Sequence, residues 1–269
     1  MKQPIIKVDN VSKEFAVGDK KIRIIKEVSL DVFPGEFVMI YGPSGCGKST
    51  FLSIMNGWIA PTIGTVTVKG EDLYKKTEDD RSRMKQHEIS LMNQSSDWVK
   101  SLSVIDNICM PYLLAGKFKS AARKRAMTLL QMLHLERYAF YRPMDLSGGQ
   151  QQRISFLRSL INNPEIIMAD EPTGNLDTSS TAVIMELFSK INHDLGRTII
   201  MVTHNMDLLR NASKSVNIID GRIVSVNENK DFEMNEKIEA KDVLEIGFKN
   251  IVKDTSEEEE EERERSKVG

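Results

Sequence analysis

The sequence predicts an α/β protein with a mainly parallel central sheet, a small N-terminal antiparallel β subdomain and an inserted α-helical subdomain. Nearly continuous apolar runs at Phe37–Tyr41, Glu165–Ala169 and Thr198–Val202 are typical of strands buried on both faces of a parallel sheet. Val28–Val32 alternates between apolar and polar residues, which indicates a half-buried antiparallel strand. From about Ser103 to Leu160, apolar residues recur three and four positions apart, which favours helices.

The N-terminal elements follow in order. Ile5–Val11 is a short apolar-rich strand, and the alternating strand Val28–Val32 comes next. A Pro-Gly turn precedes the buried strand Phe37–Tyr41. A glycine-rich loop then leads into a predicted helix at Lys48–Asn56, and Thr65–Lys69 alternates again as a strand. The order predicts a small antiparallel sheet that precedes the α/β core.

The C-terminal elements alternate between strands and helices. A helix is predicted at about Ser179–Leu195, between two buried strands. Ser215–Ile219 and Arg222–Val226, joined by an Asp-Gly turn, are predicted to form a closing hairpin. Further on the pattern weakens, although Lys241–Val252 could hold a short helix or strand.

Charge is unevenly distributed along the 269 residues, whose formal net charge is −2. Residues 255–269 include six consecutive glutamates and carry −4, so the rest of the chain is about +2. The acidic run repels itself and has little to bury, which predicts a disordered tail, with an interaction tail as the alternative. The weakly charged body predicts no nucleic-acid partner, because such partners are bound largely by phosphate neutralisation.

Cysteine usage and hydropathy restrict the location of the protein. The two cysteines, Cys46 and Cys109, provide neither a disulfide framework nor a zinc-ligand cluster, which favours a reducing compartment. The N-terminus lacks the apolar stretch of a secretory signal, and no window approaches the roughly 18–20 apolar residues of a membrane-spanning helix. We therefore expect any membrane role to come through a partner.

The strongest motif is a phosphate-binding loop between a predicted strand and a predicted helix. Residues 42–49 read GPSGCGKS and match G-x-x-x-x-G-K-[ST]. Glycines allow backbone N–H groups to approach phosphate oxygens, and the helix N-terminus attracts the same anion. Lys48 is predicted to neutralise the β- and γ-phosphates, and Ser49 to bind Mg²⁺. The predicted nucleotide-binding residues of this loop are Gly42, Pro43, Ser44, Gly45, Cys46, Gly47, Lys48, Ser49 and Thr50.

A second motif is a buried strand that ends in two adjacent acids, Asp170 and Glu171. Buried carboxylates without a partner are costly, so a cation is expected at this strand end. Asp170 is predicted to hold Mg²⁺, and Glu171 to act as the general base for the attacking water. The alternative is an acidic pair at a helix N-terminus with no ligand.

A third motif is the signature loop, Leu146–Gln150, which reads LSGGQ and precedes a predicted helix. Ser147 could cap that helix, and Gly148 and Gly149 would leave backbone N–H groups free for an anion. A chain with one phosphate loop has no obvious need of a second, which points to a site shared between two chains. The alternative is an ordinary helix start.

The three motifs, in this order, resemble those of ATP-binding-cassette (ABC) ATPases, a family with a P-loop NTPase core. The resemblance spans about Ile5–Val226. It implies that ATP and Mg²⁺ are the cofactors, and that Lys48 and Glu171 take part in catalysis. It assigns a 1–226 ATP-binding domain with a helical subdomain at about 95–159, a 227–254 extension and the 255–269 tail.

Four further positions match the family's motifs by their order and flanking residues. Gln94 resembles the Q-loop glutamine, a catalytic and metal-binding residue, and His204 resembles the switch histidine that senses the γ-phosphate. Asp177 resembles the D-loop aspartate, although it could also be a helix N-cap. Phe15 stands where an aromatic residue stacks on adenine, although a core position is equally open.

Residues 147–153 and 169–177 are similar to one branch of the family. That branch contains the ATPases of macrolide exporters, lipoprotein-release systems, bacitracin-type peptide-resistance transporters and the cell-division cassette. The chain departs from it at Leu91–Asn93, at Ser155–Leu160 and at Asn205, which follows the switch histidine where aspartate is usual. The substrate therefore stays open among lipoproteins, peptides and drug-like molecules.

The resemblance implies the ATP-hydrolysing subunit of an ABC transporter, cytoplasmic and peripheral on the inner face of the cell membrane. Its expected partners are a transmembrane permease subunit and a second ATPase subunit, identical or paralogous. The alternative is an ATPase switch that regulates a membrane partner in cell-wall or cell-division control. About a hundred residues without sustained heptads separate phosphate loop and signature, which disfavours a cassette of DNA repair or chromosome structure. Translation-factor cassettes carry two cassettes in one chain, whereas this chain carries one.

Overall fold

The computed structural model describes residues 3–95 and 97–229, and these residues fall into two compact units. Unit 1 comprises 3–95 and 164–229, and unit 2 comprises 97–163. The segment Lys241–Val252 and the acidic tail 255–269 lie outside the described residues.

All strands of the described residues belong to unit 1. In chain order they are β1 Ile6–Val17, β2 Lys20–Val32, β3 Phe37–Tyr41, β4 Ile63–Val68, β5 Glu71–Asp72, β6 Ile89–Met92, β7 Ile166–Asp170, β8 Thr198–Thr203, β9 Lys214–Ile219 and β10 Arg222–Glu228. Helices occur in both units. They are α1 Lys48–Met55, α2 Glu78–His87 and α6 Thr178–Leu195 in unit 1, and α3 Val104–Leu114, α4 Lys119–Met132 and α5 Gly148–Leu160 in unit 2.

The N-terminal sheet is antiparallel, in the order β2-β1-β4-β5. Its first two strands are longer than expected, because they continue through exposed residues into a hairpin that pairs Val17 with Lys20. Register shifts between Val8 and Glu14 interrupt the period-two pattern, so the sequence marks only the buried half of each strand.

The second sheet has the order β10-β9-β3-β8-β7-β6, and every adjacent pair is parallel except the edge hairpin β9–β10. Its register aligns the carboxyl ends of four neighbouring strands. Tyr41 pairs with Thr203, and Asp170 pairs with Val202. Ligands of α/β sheets bind at the carboxyl ends of the strands. The loops that follow β3, β8, β7 and β6 all start at this edge of the sheet.

Apolar side chains on both faces hold this sheet in place. The four residues Phe37–Ile40 of β3 are fully buried. The ring of Phe188 on α6 lies 6.4 Å from that of Phe37, and Phe51 of α1 is also fully buried. Burying a side chain of this size stabilises a fold by about 1.5–3 kcal/mol. The helix after the phosphate-binding loop is therefore anchored in the core.

Unit 2 is helical, as the apolar spacing predicts. Ser103 caps α3 by accepting a hydrogen bond from the Asp106 N–H at 3.2 Å. Two short 3₁₀ turns, Glu136–Tyr138 and Pro143–Asp145, lead from α4 to α5.

Helix α2 was not expected from the sequence, because Met84 is its one buried residue and no apolar stripe forms. Its start nevertheless has a signal, since Thr77 caps it and acidic residues occupy its first turn.

Candidate functional site

The phosphate-binding loop depends on glycine at two positions of unit 1. Gly42 has φ 152°, and a Cβ there would lie 2.0 Å from the carbonyl oxygen of Ile218. Gly47 has φ 103° and begins α1, and a Cβ there would lie 2.9 Å from Cδ1 of Ile25. Only glycine fits these close approaches, so the loop packs directly against the strands around it.

The Lys48 ammonium group lies inside the loop. The side chain is buried, and Nζ donates hydrogen bonds to the carbonyl oxygens of Gly42 at 3.0 Å and Pro43 at 2.9 Å. These bonds compensate for the desolvation of the charge. The loop therefore encloses the positive charge of Lys48, and the N-terminus of α1 begins at the same residue.

Ser49 and Asp170 meet at the end of β7. The Ser49 hydroxyl donates to Oδ1 of Asp170 at 3.0 Å. Burial, reinforced by the charge of Glu171, raises the pKa of Asp170, and the Ser49 hydrogen bond and the Lys48 charge counteract this only in part. A carboxylate with a raised pKa gains free energy when a cation binds beside it.

Glu171 occupies a strained position next to this pair. Its φ is 46°, in the left-handed region, and its N–H donates to the Val202 carbonyl at 3.0 Å. Its Oε2 lies 3.1 Å from Nδ1 of His204, the residue directly after β8. Left-handed backbone at a non-glycine residue costs on the order of 1–2 kcal/mol, and such strain concentrates at functional sites.

Gln94 approaches the same carboxylate. A Cβ at Gly174 would lie 3.0 Å from Nε2 of Gln94 and 3.4 Å from Oε2 of Glu171. Gly174 thus leaves room between the two side chains, a role that its motif did not reveal. The structure brings together five of the site residues predicted from the sequence: Gln94, Ser49, Asp170, Glu171 and His204.

Asp177 is the N-cap of α6. It accepts hydrogen bonds from the Ser179 hydroxyl at 2.6 Å and from the Ser180 N–H at 2.8 Å. The Ser179 bond, followed by those of Ser180, lowers the pKa of Asp177 to about 2. The capping alternative is confirmed, and the D-loop role stays a prediction.

Phe15 is half-buried on β1, and Nζ of Lys13 lies 5.1 Å from its ring centroid. A cation over one part of the ring is compatible with a core or a stacking role. Adenine stacking by Phe15 stays a prediction.

Cys46 is buried within the loop, and its carbonyl accepts a hydrogen bond from the Gly221 N–H at 3.1 Å. Gly221 has φ 77°, and a Cβ there would lie 2.0 Å from the Ile24 carbonyl oxygen. The β9–β10 turn therefore supports the phosphate-binding loop. The sequence predicted the turn from Asp-Gly but not this support, because the contact joins residues distant in the chain.

In unit 2, the signature loop begins α5 with a capping box. The Ser147 hydroxyl accepts from the Gln150 N–H at 3.3 Å, and Oε1 of Gln150 accepts from the Ser147 N–H at 3.0 Å. Gly148 and Gly149 form the first turn, and a Cβ at Gly148 would meet nothing within 4 Å. The predicted cap is confirmed, and the space around Gly148 is open to a ligand.

The residues present fit a magnesium ion. The Ser49 hydroxyl and the Asp170 carboxylate supply hard oxygen atoms of the kind Mg²⁺ prefers. Residues 3–95 and 97–229 contain no cluster of three or more His, Cys, Asp or Glu that could hold a metal ion. Mg²⁺ usually keeps few protein ligands and completes its shell with phosphate oxygens and water, so two oxygen donors suffice.

Comparison with known proteins shows the family. A family model described as ABC transporter matches residues 25–174. The macrolide export ATP-binding/permease protein MacB of Agrobacterium fabrum is 39% identical over 229 residues, which cover 85% of this chain and 35% of MacB. The lipoprotein-releasing system ATP-binding protein LolD 1 of Chlorobium chlorochromatii is 37% identical over 226 residues, which cover 83% of this chain and 92% of that protein.

A solved structure agrees with this family assignment. A dimeric ATP-binding cassette in a post-hydrolysis state, bound to ADP and Pi, is 35% identical with a TM-score of 0.78. The match covers 83% of this chain and 98% of the cassette. Within the described part of the present chain, none of the helices has the length and apolar character needed to span a membrane.

Proposed function

The chain belongs to the ABC transporter family as an ATP-binding ATPase domain, and we propose that it powers export or extraction through a separate membrane subunit. The observation that carries the proposal is the convergence of side chains at the strand ends of unit 1. Lys48 lies at the end of the loop after β3. Asp170 is the last residue of β7 and Glu171 the next, and His204 directly follows β8. These groups supply a cation for phosphates, an oxygen donor for a metal and a base for water.

Phosphate binding begins at Lys48. Its ammonium group binds the carbonyl oxygens of Gly42 and Pro43, so it already faces the inside of the loop. The β- and γ-phosphates of ATP carry more negative charge than a carbonyl dipole, so the ammonium group exchanges partners when nucleotide binds. Glycine N–H groups and the start of α1 add donors with no side chain in the way.

Ser49 and Asp170 are the residues that would hold Mg²⁺, together with Gln94. When bound, the metal ion neutralises charge on the phosphate oxygens. The Ser49 proton that now points to Asp170 would turn away, leaving the hydroxyl oxygen free as a ligand.

Glu171 and His204 are proposed to arrange the attacking water. The Glu171 carboxylate accepts the proton of that water. His204 lies within hydrogen-bond distance of the same carboxylate and can bind the γ-phosphate through its other ring nitrogen. Gln94, which shares the space at Gly174 with the Glu171 carboxylate, can position the water or the metal.

Two chains are proposed to share each nucleotide. The capped helix start at Ser147 offers open N–H donors, yet the phosphates of ATP are already bound by the loop of unit 1. A partner's signature loop would close over the ATP bound to this chain, with Asp177 near the contact. The related cassette bound to ADP and Pi is dimeric, which supports this arrangement. The partner is a second copy or a paralogous ATPase.

The proposed location is the cytoplasmic face of the membrane, on a permease subunit, and the substrate class is lipoprotein, peptide or drug-like molecule. MacB and LolD 1 carry export and release in their names, which supports this choice. The test reconstitutes the chain with any permease subunit that its neighbouring genes encode and follows each substrate class across vesicles. ATP-dependent movement that Lys48→Ala abolishes supports a transporter. Stimulated ATP hydrolysis without movement of any class identifies the regulatory switch instead.

A further inference from the structure

We propose that Trp98 and Tyr138 are positioning residues for the signature loop, which they hold through two adjacent glutamine amides. The glutamines are Gln150 and Gln151, at the start of α5. The inference rests on the proposed function, because it assumes that the signature loop binds nucleotide across a dimer. No motif of the sequence includes either aromatic residue, and all contacts described below lie within unit 2.

Tyr138 holds the loop from one side. Nε2 of Gln150 donates to the Tyr138 hydroxyl at 2.9 Å, while Oε1 of the same amide accepts from the Ser147 N–H at 3.0 Å. An amide that is bonded at both ends has one orientation. The Ser147 backbone is therefore fixed relative to the Tyr138 ring.

The Tyr138 side chain is itself held in place. Nη2 of Arg137 donates to the Tyr138 hydroxyl at 2.6 Å, and its guanidinium lies 4.6 Å from the ring centroid. The Tyr141 ring meets the Tyr138 ring edge-on, with centroids 5.6 Å apart. The hydroxyl thus accepts bonds from a rigid position, as a positioning group requires.

Trp98 holds the loop from another side. Its Nε1 donates to Oε1 of Gln151 at 3.0 Å, and Nε2 of Gln151 donates to the Leu146 carbonyl at 2.9 Å. Leu146 directly precedes Ser147, so this second amide fixes the residue before the cap. The two amides together hold the backbone on both sides of the serine.

Trp98 is also fixed by its surroundings. The Arg158 guanidinium lies 4.6 Å from the indole ring, and Nη1 of Arg158 donates to the Asp97 carbonyl at 3.0 Å. The buried Asn107 side chain binds both the N–H of Val99 at 3.0 Å and its carbonyl at 3.2 Å. The residues on both sides of Trp98 are therefore anchored to helices α3 and α5.

The geometry matters because the first residue of α5, Gly148, lies in open space. A Cβ at Gly148 would meet nothing within 4 Å, so packing does little to fix the backbone there. Anion stabilisation depends on donors that are aimed before the ligand arrives. The side chains of Trp98 and Tyr138 supply that order through hydrogen bonds rather than packing.

The test uses Trp98→Phe and Tyr138→Phe, which both keep an aromatic ring. Trp98→Phe removes the hydrogen bond to Gln151, and Tyr138→Phe removes the bonds that the hydroxyl accepts from Gln150 and Arg137. We expect kcat of the full-length protein to fall roughly 2- to 10-fold in each variant, the range for the one bond to the signature loop that each variant loses. ATP-driven dimerisation, measured in a Glu171→Gln background, should weaken by a similar factor. The ATP affinity of the monomer should not change, because the phosphate-binding loop is intact.

Matched controls are Trp58→Phe and Tyr141→Phe. Trp58 lies in unit 1 and is 56% exposed. The ring of Tyr141 packs against that of Tyr138, and no hydrogen bond between Tyr141 and Gln150 occurs in the described residues. Both controls should behave as the wild type. A variant that lowers monomer ATP affinity and melting temperature together would overturn the proposal, because it would identify a general structural role.

Double variants identify the path of the effect. In a Gln150→Ala background, Tyr138→Phe should cause no further loss of kcat, and Trp98→Phe should cause none in Gln151→Ala. Additive losses contradict the proposal.

Ser147→Arg distinguishes a failure of the shared nucleotide site from a failure of the positioning roles. If Ser147→Arg leaves turnover and dimerisation intact, the shared site itself is wrong. If it abolishes both while the two Phe variants match the wild type, the shared site stands and the positioning roles fail.

Discussion

Nδ1 of His204 lies 3.1 Å from Oε2 of Glu171, although 33 residues separate them in the chain. The parallel pairing of β7 with β8, which aligns Asp170 with Val202, places the two residues at adjacent strand ends. The imidazole can therefore orient the carboxylate without either side chain moving far. This pair, beside the Ser49–Asp170 hydrogen bond, is the centre of the proposed chemistry.

Glu171→Gln tests the base. The amide keeps the size of the carboxylate but cannot take the proton of the attacking water, so turnover should fall about 10²- to 10⁴-fold. ATP binding should persist, since the phosphate-binding loop is untouched, and an ATP-bound dimer should accumulate on size exclusion. Steady-state hydrolysis and equilibrium nucleotide binding check both points.

The matched control for this change is Glu186→Gln, on the surface of α6, where the carboxylate pairs with Lys190 at 2.8 Å. It should hydrolyse ATP as the wild type does. Wild-type turnover in Glu171→Gln would remove this residue from the mechanism.

Asp170→Asn tests the cation site through pH. Burial raises the pKa of Asp170 above its ordinary value of 3.8. The protonated carboxyl group therefore stabilises the fold fully below pH 3.8, and this stabilisation is lost as pH rises through the raised pKa. At pH 7 the ionised group therefore destabilises the nucleotide-free protein. Asp170→Asn should therefore melt at a higher temperature than the wild type at pH 7.

The difference in melting temperature should shrink as pH is lowered towards 4. Mg-ATP should stabilise the wild type more than the variant, because only the wild type offers a charged ligand to the metal. A variant that is less stable at pH 7, by an amount independent of pH, would show that Asp170 is held by other interactions.

The two cysteines should react at different rates. Burial, aided by the charge of Asp106, raises the pKa of Cys109 to about 11, so roughly one thiol in ten thousand is ionised at pH 7. Cys46 is buried in the phosphate-binding loop, and its labelling requires that loop to open. A maleimide should inactivate the protein through Cys46, and Mg-ATP should slow the reaction by keeping the loop closed.

Cys46→Ser and Cys109→Ser separate the two sites when labelling is followed by mass spectrometry. Cys46→Ser should resist inactivation, whereas Cys109→Ser should behave as the wild type. Inactivation that ATP does not slow would place Cys46 away from bound nucleotide.

The sequence predicted most of the fold because burial patterns are local. The structure confirms β3 as Phe37–Tyr41, the hairpin β9–β10, and the mainly parallel sheet with an antiparallel sheet before it. The family and its macrolide and lipoprotein-release branch are confirmed by the relatives. Exposed segments were harder: the outer half of β2 and helix α2 bury few apolar residues, so periodicity marks neither.

The site followed from its motifs, but its supports did not. Gly174, Gly221 and the pair Trp98 and Tyr138 act through contacts between residues distant in sequence. No local pattern encodes such contacts. The strain at Glu171 was also invisible, because a glutamate in the left-handed region has no sequence signal beyond its motif.

The shared nucleotide site is the central claim, and two complementary variants test it. One chain carries Lys48→Ala, which removes the phosphate-binding cation, and the other carries Ser147→Arg, which blocks the signature loop. Each homodimer then has two defective sites. In a mixed dimer with composite sites, the intact loop of one chain faces the intact signature of the other, which leaves one complete site.

Occlusion of labelled ATP in mixed dimers, confirmed by two different affinity tags, is the direct measurement. The account predicts that mixing restores tight binding at up to one ATP per mixed dimer, while each variant alone occludes almost none. Mixed dimers that form but occlude no more ATP than either homodimer would contradict the shared site.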